Sequence, residues 1–428
     1  MPIDKRGRAR EFSAAPATGR AAVFLRAAVP HHSELLTHSI MDQVRIGIVG
    51  LGNMGRTHRQ YILDGKVKGL TVGAICDRAE TLESIPAREG EARFTDVAEM
   101  VASGTIDALL CATPHPLHAP IGIAALKGGL HVLMEKPLGV HKADCERLLA
   151  AHTDKTKIFA AMFQIRTDPH YAKLKELLES GETGPVRRIL WDTTNWFRTE
   201  YYYASGGWRA TWKGEGGGVL LNQLPHNLDV FQWIFGVPDQ ITSFCQFGRY
   251  HQIEVEDDVT VYCRWKDGKH ATIIASTGEA PGRNRLEVAC ERGHITVETG
   301  KITWQRTTQG VREFSETVEA AFAQPEAWKV EIPIEGRGPG HVAILQNFTN
   351  AILHGEKLLC PASDGIFSVE IANAALLSTW LGQTVEMPMD GALYEQLLTE
   401  RAETSTFQKK QVTKRVASAD DFAKSYQR

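Results

Sequence analysis

Residues 44–55 read VRIGIVGLGNMG, and this stretch constrains the fold more than any other. An apolar run rich in Val and Ile suits a buried strand. It leads straight into Gly50-Leu51-Gly52-Asn53-Met54-Gly55, and RTHRQYILDG after it suits a helix ending at Gly65. Three glycines at this spacing, between a strand and a helix, form a dinucleotide-binding fingerprint. Gly50 permits the tight turn, Gly52 lets backbone approach a pyrophosphate, and Gly55 lets helix and strand pack closely. The helix start, from Asn53 and Met54, offers free N–H groups and a positive dipole end to the phosphates. Leu70–Cys76 (LTVGAIC) reads as the next strand, with Asp77 directly after it. An acid there accepts hydrogen bonds from a ribose 2′-hydroxyl and repels a 2′-phosphate, which favours NAD over NADP; Arg78 beside it could pair with such a phosphate.

At 428 residues the chain has room for two or three domains. Its 43% hydrophobic and 23% charged content is that of a soluble globular protein, and a net charge of −3 gives no reason to expect nucleic acid or a membrane surface as partner. Seven scattered cysteines without a C-x-x-C pair suit thiols in a reducing compartment, pointing to the cytoplasm and away from a disulfide framework or a metal site. No apolar run reaches membrane-spanning length. Residues 1–40 are basic and Ala-rich, and their one apolar patch, AAVFL, is too short for a secretory leader. They read as a disordered N-terminal extension or an upstream translation start.

From the fingerprint onward, β-type and α-type patterns alternate. Helices are expected over 79–91, in FTDVAEMV, and over 119–127 and 141–152; strands over 107–112, 130–134 and 157–163. This describes a doubly wound parallel sheet, a Rossmann domain over 41–165. Strand-like segments then follow at 186–198, 240–250, 255–265, 270–278, 286–291, 294–298 and 301–306, several joined by turn signals such as Asp267-Gly268. They imply a large, mainly antiparallel sheet in a second, α+β domain over 166–390, with helices at 341–354 and 364–381. One helix and a polar tail over 391–428 complete the chain.

Two further sites carry chemistry. Glu135-Lys136-Pro137 follows a parallel strand, where a lysine faces the ligand crevice and its ammonium can stabilise an alkoxide as hydride leaves. A proline after it fixes the backbone, in cis or trans. Residues 214–229, GEGGGVLLNQLPHNLD, place Asn222 and His226 four residues apart, on one face if the segment is helical. A neutral imidazole there could take a hydroxyl proton, with Asn222 orienting it or holding a second substrate hydroxyl. Between these lie Trp191, Trp196, Arg198, Tyr201-Tyr202-Tyr203 and Trp208-Arg209, an aromatic and cationic segment suited to the apolar face and hydroxyl edge of a sugar or cyclitol.

Together, GLGNMG, ATPHPLH (112–118), EKP (135–137) and GGGVLLNQLPHNLD (216–229) resemble the Gfo/Idh/MocA family of glucose–fructose oxidoreductase and inositol dehydrogenase, over about 44–390. The resemblance implies a Rossmann domain followed by a domain on an open antiparallel sheet, whose outer face carries homo-oligomer contacts in a dimer or tetramer. It gives Lys136 and His226 the catalytic positions beside the nicotinamide, and makes Thr113, Pro114, His118, Glu135 and Gln164 cofactor-lining. It places Arg166 with the cofactor-lining positions and Trp208 and Arg209 on the cofactor or substrate side; with Asn222 and Tyr202 from the residue pattern, Arg209, Trp208 and Arg166 are the expected substrate-binding set. Many relatives carry Asp where this chain has Asn222. The implied activity is an NAD-dependent dehydrogenation of a secondary hydroxyl of a sugar, glycoside or cyclitol. The alternatives are a redox-neutral NAD-dependent glycosidase or lyase, and a non-catalytic NAD-sensing regulator.

Overall fold

The computed structural model describes residues 42–205, 207–336 and 338–409; the extension expected over 1–40 and the end of the tail lie outside them. Six strands form a wholly parallel sheet: β1 (Val44–Val49), β2 (Leu70–Cys76), β3 (Ala92–Phe94), β4 (Ala108–Cys111), β5 (His131–Met134) and β6 (Phe159–Ala161). Their order is β3-β2-β1-β4-β5-β6. The chain winds outward both ways from the β1–β4 pair, so a crevice opens at the carboxyl ends of those strands, where open α/β sheets hold their ligands. Both faces are covered, which is why these strands read as continuous apolar runs. Ile46, Ile48, Leu110 and Leu133 point to one side, and Val49, Leu109, Cys111, Val132 and Met134 to the other.

The second sheet has nine strands: β7 (Val186–Thr193), β8 (Gln240–Phe247), β9 (Glu256–Arg264), β10 (His270–Ser276), β11 (Asn284–Cys290), β12 (Gly293–Glu298), β13 (Lys301–Thr307), β14 (Ala327–Ile332) and β15 (Val385–Glu386). Its order is β14-β13-β12-β11-β7-β10-β9-β8-β15. Neighbours are antiparallel except β7 and β10. Along β9, Val259, Val261 and Cys263 are buried while Thr260, Tyr262 and Arg264 are exposed, the period of two expected of a sheet packed on one face. The buried face meets helices Pro225–Phe235 and Ala362–Leu381.

Several expectations need correction. The helix expected over 79–91 stops at Glu83, because Pro86 cannot continue it. The strand expected over 186–198 ends at Thr193, since the N–H groups of Thr194 and Asn195 both turn to the Arg283 carbonyl, at 2.8 and 3.1 Å. Strands β3, β14 and β15 were not anticipated; all three are short or lie at a sheet edge, where the apolar pattern is weak. Helix His341–His354 was expected with the second domain, yet Ile344, Leu345 and Phe348 pack on the β1 side of the parallel sheet. The Gln346 amide also bonds both the N–H and the C=O of Lys68, at 2.7 and 3.0 Å. Helix Gly391–Thr404 is equally integral, with Tyr394 and Leu398 buried in the main core.

Phe348 is fully buried on the helix that returns to the nucleotide sheet. Phe348→Ala is expected to destabilise the protein by about 3–5 kcal/mol through lost burial and the cavity left behind, measured by urea unfolding.

Candidate active site

The glycine loop takes its shape from what each glycine meets. Gly50 has φ +88° and its N–H donates to the Cys76 carbonyl at 2.9 Å, clamping the turn to β2. A Cβ on Gly55 would overlap the Gly50 carbonyl oxygen, so only glycine lets helix Asn53–Leu63 close on β1. A Cβ on Gly52 would meet nothing within 4 Å. The helix has no acidic residue in its first turn and no side-chain cap. Its first N–H groups, those of Asn53, Met54 and Gly55, have no acceptor within the helix and face a space open to an anion. Asp77 clamps the same loop: its carboxylate accepts from the N–H groups of Leu51 at 2.5 Å and Arg78 at 2.7 Å. The Arg78 side chain is exposed.

At the ends of β4 and β5, His118 is not a crevice residue. It is buried, with Nδ1 2.7 Å from the Pro137 carbonyl and Nε2 2.9 Å from that of Thr113. Burial holds its imidazole below the ordinary range, so the neutral ring donates to one carbonyl and rests against the other. His118, expected to line the cofactor, has both ring nitrogens against backbone carbonyls and braces the loops at Thr113-Pro114 and Glu135-Lys136-Pro137 instead. Buried Glu135 accepts from His58 Nε2–H at 2.6 Å through Oε1 and from the Lys136 N–H at 3.2 Å through Oε2. Burial alone would raise this carboxyl, but the His58 bond and the charges of His58, His341 and Lys136 hold it well below the usual range. His58 lies on the glycine-loop helix, so Glu135 couples that helix to Lys136. Nothing in the sequence pattern marked His58, because burial of a polar helix residue is a tertiary property.

Lys136, which precedes Pro137 through a cis peptide, is part-buried, and Nζ donates to the Asn222 carbonyl at 2.7 Å. That carbonyl is available because helix Val219–Asn222 ends there and leaves its last carbonyls without helical partners. Burial, then the charges of Arg209 and Arg198, outweigh Glu135 and Glu215 and bring the Lys136 ammonium down to about 8.

Asn222 and His226 therefore sit on two helices, and the amide does not orient the imidazole, contrary to expectation. Asn222 Nδ2 instead donates to Glu215 Oε1, and its Oδ1 accepts from the Tyr202 hydroxyl at 3.4 Å. Tyr202 also accepts from Arg209 Nη1 at 2.7 Å and Gln223 Nε2 at 3.2 Å. The Arg209 guanidinium lies 4.6 Å from the ring centroids of both Tyr202 and Trp208, so these three of the expected residues form one cluster, whereas Trp191, against Tyr171 and Asn284, and Tyr203, on Thr277, are buried core residues. His226 is buried, and Gln164 Nε2 lies 3.3 Å from its Nε2. His226 Nδ1 and Gln164 Oε1 have no hydrogen-bond partner among the described residues. Burial, followed by the charge of Lys136, keeps this imidazole far below its ordinary value and thus uncharged.

Arg166 is a second correction. Its guanidinium is buried and four of its five N–H donors are committed to the protein: Nε and Nη2 grip Asp229 at 2.7 and 2.6 Å, and Nη1 reaches Asp364 at 2.8 Å and the Leu359 carbonyl at 3.1 Å. These contacts make it a structural brace. Two residues outside the expected set, Glu215 and Gln223, do join the cluster; Glu215 lay in plain view within the glycine run. Among the described residues, no group of three or more His, Cys, Asp or Glu side chains could hold a metal ion.

The two loop glycines separate folding from binding. Gly52→Ala is expected to leave the melting temperature within about 1 °C, as its methyl meets no protein atom, yet to weaken NAD binding at least about tenfold, the cost of one lost close contact of about 1.4 kcal/mol. Gly55→Ala is expected to lower both. Thermal unfolding and NADH fluorescence titration of the two variants check this.

Residues 44–163 match the family described as "Oxidoreductase family, NAD-binding Rossmann fold", and residues 171–296 match the GFO/IDH/MocA C-terminal domain. Inositol 2-dehydrogenase of Corynebacterium glutamicum is 30% identical over 197 residues, 45% of this chain; there the match spans about half, 54%, of the relative's length. Inositol 2-dehydrogenase of Salmonella typhimurium is 31% identical over 368 residues, 82% of this chain and 99% of that protein. The structure of the WlbA dehydrogenase of Bordetella pertussis, in complex with NADH and UDP-GlcNAcA, superposes with a TM-score of 0.68 at 24% identity, covering 81% of this chain and 100% of that one. Levoglucosan dehydrogenase in complex with NADH and levoglucosan gives 0.66 at 19% identity, over 81% and 100%. With the fingerprint, both sheets and matches along most of its described length, this chain belongs to the Gfo/Idh/MocA family of NAD-binding oxidoreductases.

Proposed function

We propose that the protein oxidises a secondary hydroxyl of a sugar, glycoside or cyclitol with NAD. The observation that carries this reading is part-buried Lys136, held by the Asn222 carbonyl between the nucleotide sheet and the Tyr202–Arg209–Trp208 cluster. Relatives named inositol 2-dehydrogenase support a cyclitol or a similar ring. Bound NAD supplies the hydride acceptor, the nicotinamide ring. The open face at Gly52, the free N–H groups after it and Asp77 suit its pyrophosphate and ribose, and the negative charge of Asp77 favours NAD over NADP.

The proton-accepting role expected of His226 fits Lys136 better. Charging His226 would put a second cation in a buried site already occupied by Lys136. Lys136 titrates near working pH, the property that suits a general base. In the amine form Nζ still donates to the Asn222 carbonyl and keeps a lone pair for the hydroxyl proton. Neutral His226, with the Gln164 amide nitrogen against Nε2, carries its proton on Nδ1 and donates from there to the reacting oxygen. Asn222 and Tyr202 hold neighbouring hydroxyls. This acid–base pair favours a redox enzyme over an NAD-sensing regulator, which needs none.

The outer face of the nine-stranded sheet exposes Phe244 and Tyr262, a surface suited to contact with a second copy. Seven unpaired, buried thiols suit a reducing cytoplasm. Among the described residues, no helix is long and apolar enough to cross a membrane.

Reduction of NAD and NADP by the purified protein, tested against aldoses, glycosides, aldonates and inositols, checks the reaction. Turnover on one polyol class with NAD is expected. Binding of NAD without reduction on any of them, or release of an aglycone without net NADH, overturns it. The base must be deprotonated, so kcat/KM for oxidation is expected to rise as pH increases through about 8 and then level off. Lys136→Arg, ionised at every accessible pH, is expected to remove that rise and lower kcat/KM by about 10²–10⁴-fold.

A further inference from the structure

We infer that Glu215 is a positioning residue for this site, which sets the direction of the Asn222 amide and the placement of the Arg209 loop with one carboxylate. The inference rests on the dehydrogenase reading above and adds a residue to it. Glu215 is 1% exposed and stands between Gly214 and Gly216. Its Oε1 accepts from Asn222 Nδ2, and its Oε2 accepts from the Ala210 N–H at 2.6 Å.

Both contacts have consequences at the crevice. An amide has one donor end and one acceptor end. With its nitrogen end held by a carboxylate, Asn222 turns its oxygen to the Tyr202 hydroxyl and to a substrate beside it. A carboxylate is an acceptor only, so this direction is enforced and not merely preferred. Ala210 has φ +56°, a left-handed conformation unfavourable for a non-glycine residue. Its N–H bond to Glu215 holds that turn, and Arg209 immediately before it is thereby aimed at the Tyr202 hydroxyl and the faces of Tyr202 and Trp208.

A reciprocal exchange tests this. Glu215→Gln retains shape, but its amide cannot accept from both Asn222 Nδ2 and the Ala210 N–H. It is expected to lower kcat/KM for the polyol about 10- to 100-fold, the range for losing a hydrogen bond to a charged group. NADH affinity should stay within about twofold, since Glu215 makes no contact with the glycine loop. Asn222→Asp alone sets two buried carboxylates against each other and is expected to be worse. The double variant Glu215→Gln/Asn222→Asp restores one amide against one carboxylate and is expected to recover at least about tenfold in kcat over Asn222→Asp. A purely structural Glu215 would lower the melting temperature and NADH affinity together, with recovery in stability and none in kcat; that result overturns the inference, as does a Glu215→Gln enzyme with wild-type kcat/KM. Absence of polyol-dependent NAD reduction in the wild type would instead overturn the dehydrogenase reading, and Glu215→Gln separates the two only when the wild type turns over.

Discussion

The buried pair between Arg166 and Asp229 is the constraint on which the catalytic geometry depends. Arg166 stands two residues after Gln164, at the end of the parallel sheet, and Asp229 three residues after His226, on the helix behind the nine-stranded sheet. The bidentate contact locks these elements together and sets the imidazole against Gln164. Asp364 and the Leu359 carbonyl take the two Nη1 donors, so the charge is met by two carboxylates and a carbonyl. Losing one partner would leave the other ionised away from water, a penalty of about 3–5 kcal/mol. A residue that reads as a substrate ligand is therefore the brace of the site.

A second set of contacts reaches Lys136 from the nucleotide side. His58 on the glycine-loop helix bonds Glu135, and Glu135 accepts from the Lys136 N–H. From the other side, the Asn222 carbonyl accepts from Nζ. Lys136 is thus fixed at both ends, by the element that would feel the phosphates and by the element that would feel the polyol. Its low basicity follows from burial and two nearby guanidinium groups, and that turns an ordinary lysine into a group able to exchange a proton near neutrality.

The polar side of the crevice is built by the same logic of forced direction. Carboxylates accept only, so Glu215 orients an amide, Asp77 clamps a turn, and Glu135 points His58 inward. Each sits where burial makes an unpaired group costly, and each is paired. Two buried atoms, His226 Nδ1 and Gln164 Oε1, are left without a partner among the described residues.

The sequence by itself determined the nucleotide half. The glycine spacing, the apolar strands and the acid after β2 are local signals, because backbone sterics at Gly50 and Gly55 and burial of both sheet faces leave few alternatives. The series of strands in the second half was legible for the same reason, by its period of two. Tertiary structure decided what local pattern cannot carry. Helix His341–His354 has an apolar face that would suit either sheet, and only packing assigns it to the nucleotide side. Asn222 and His226 have helical spacing, yet Pro225 divides the helix and turns the amide toward Glu215. Arg166, His118 and Glu215 are polar residues whose roles follow from the partners that burial brings to them, and those partners lie far away in the chain or across a turn that spacing does not reveal.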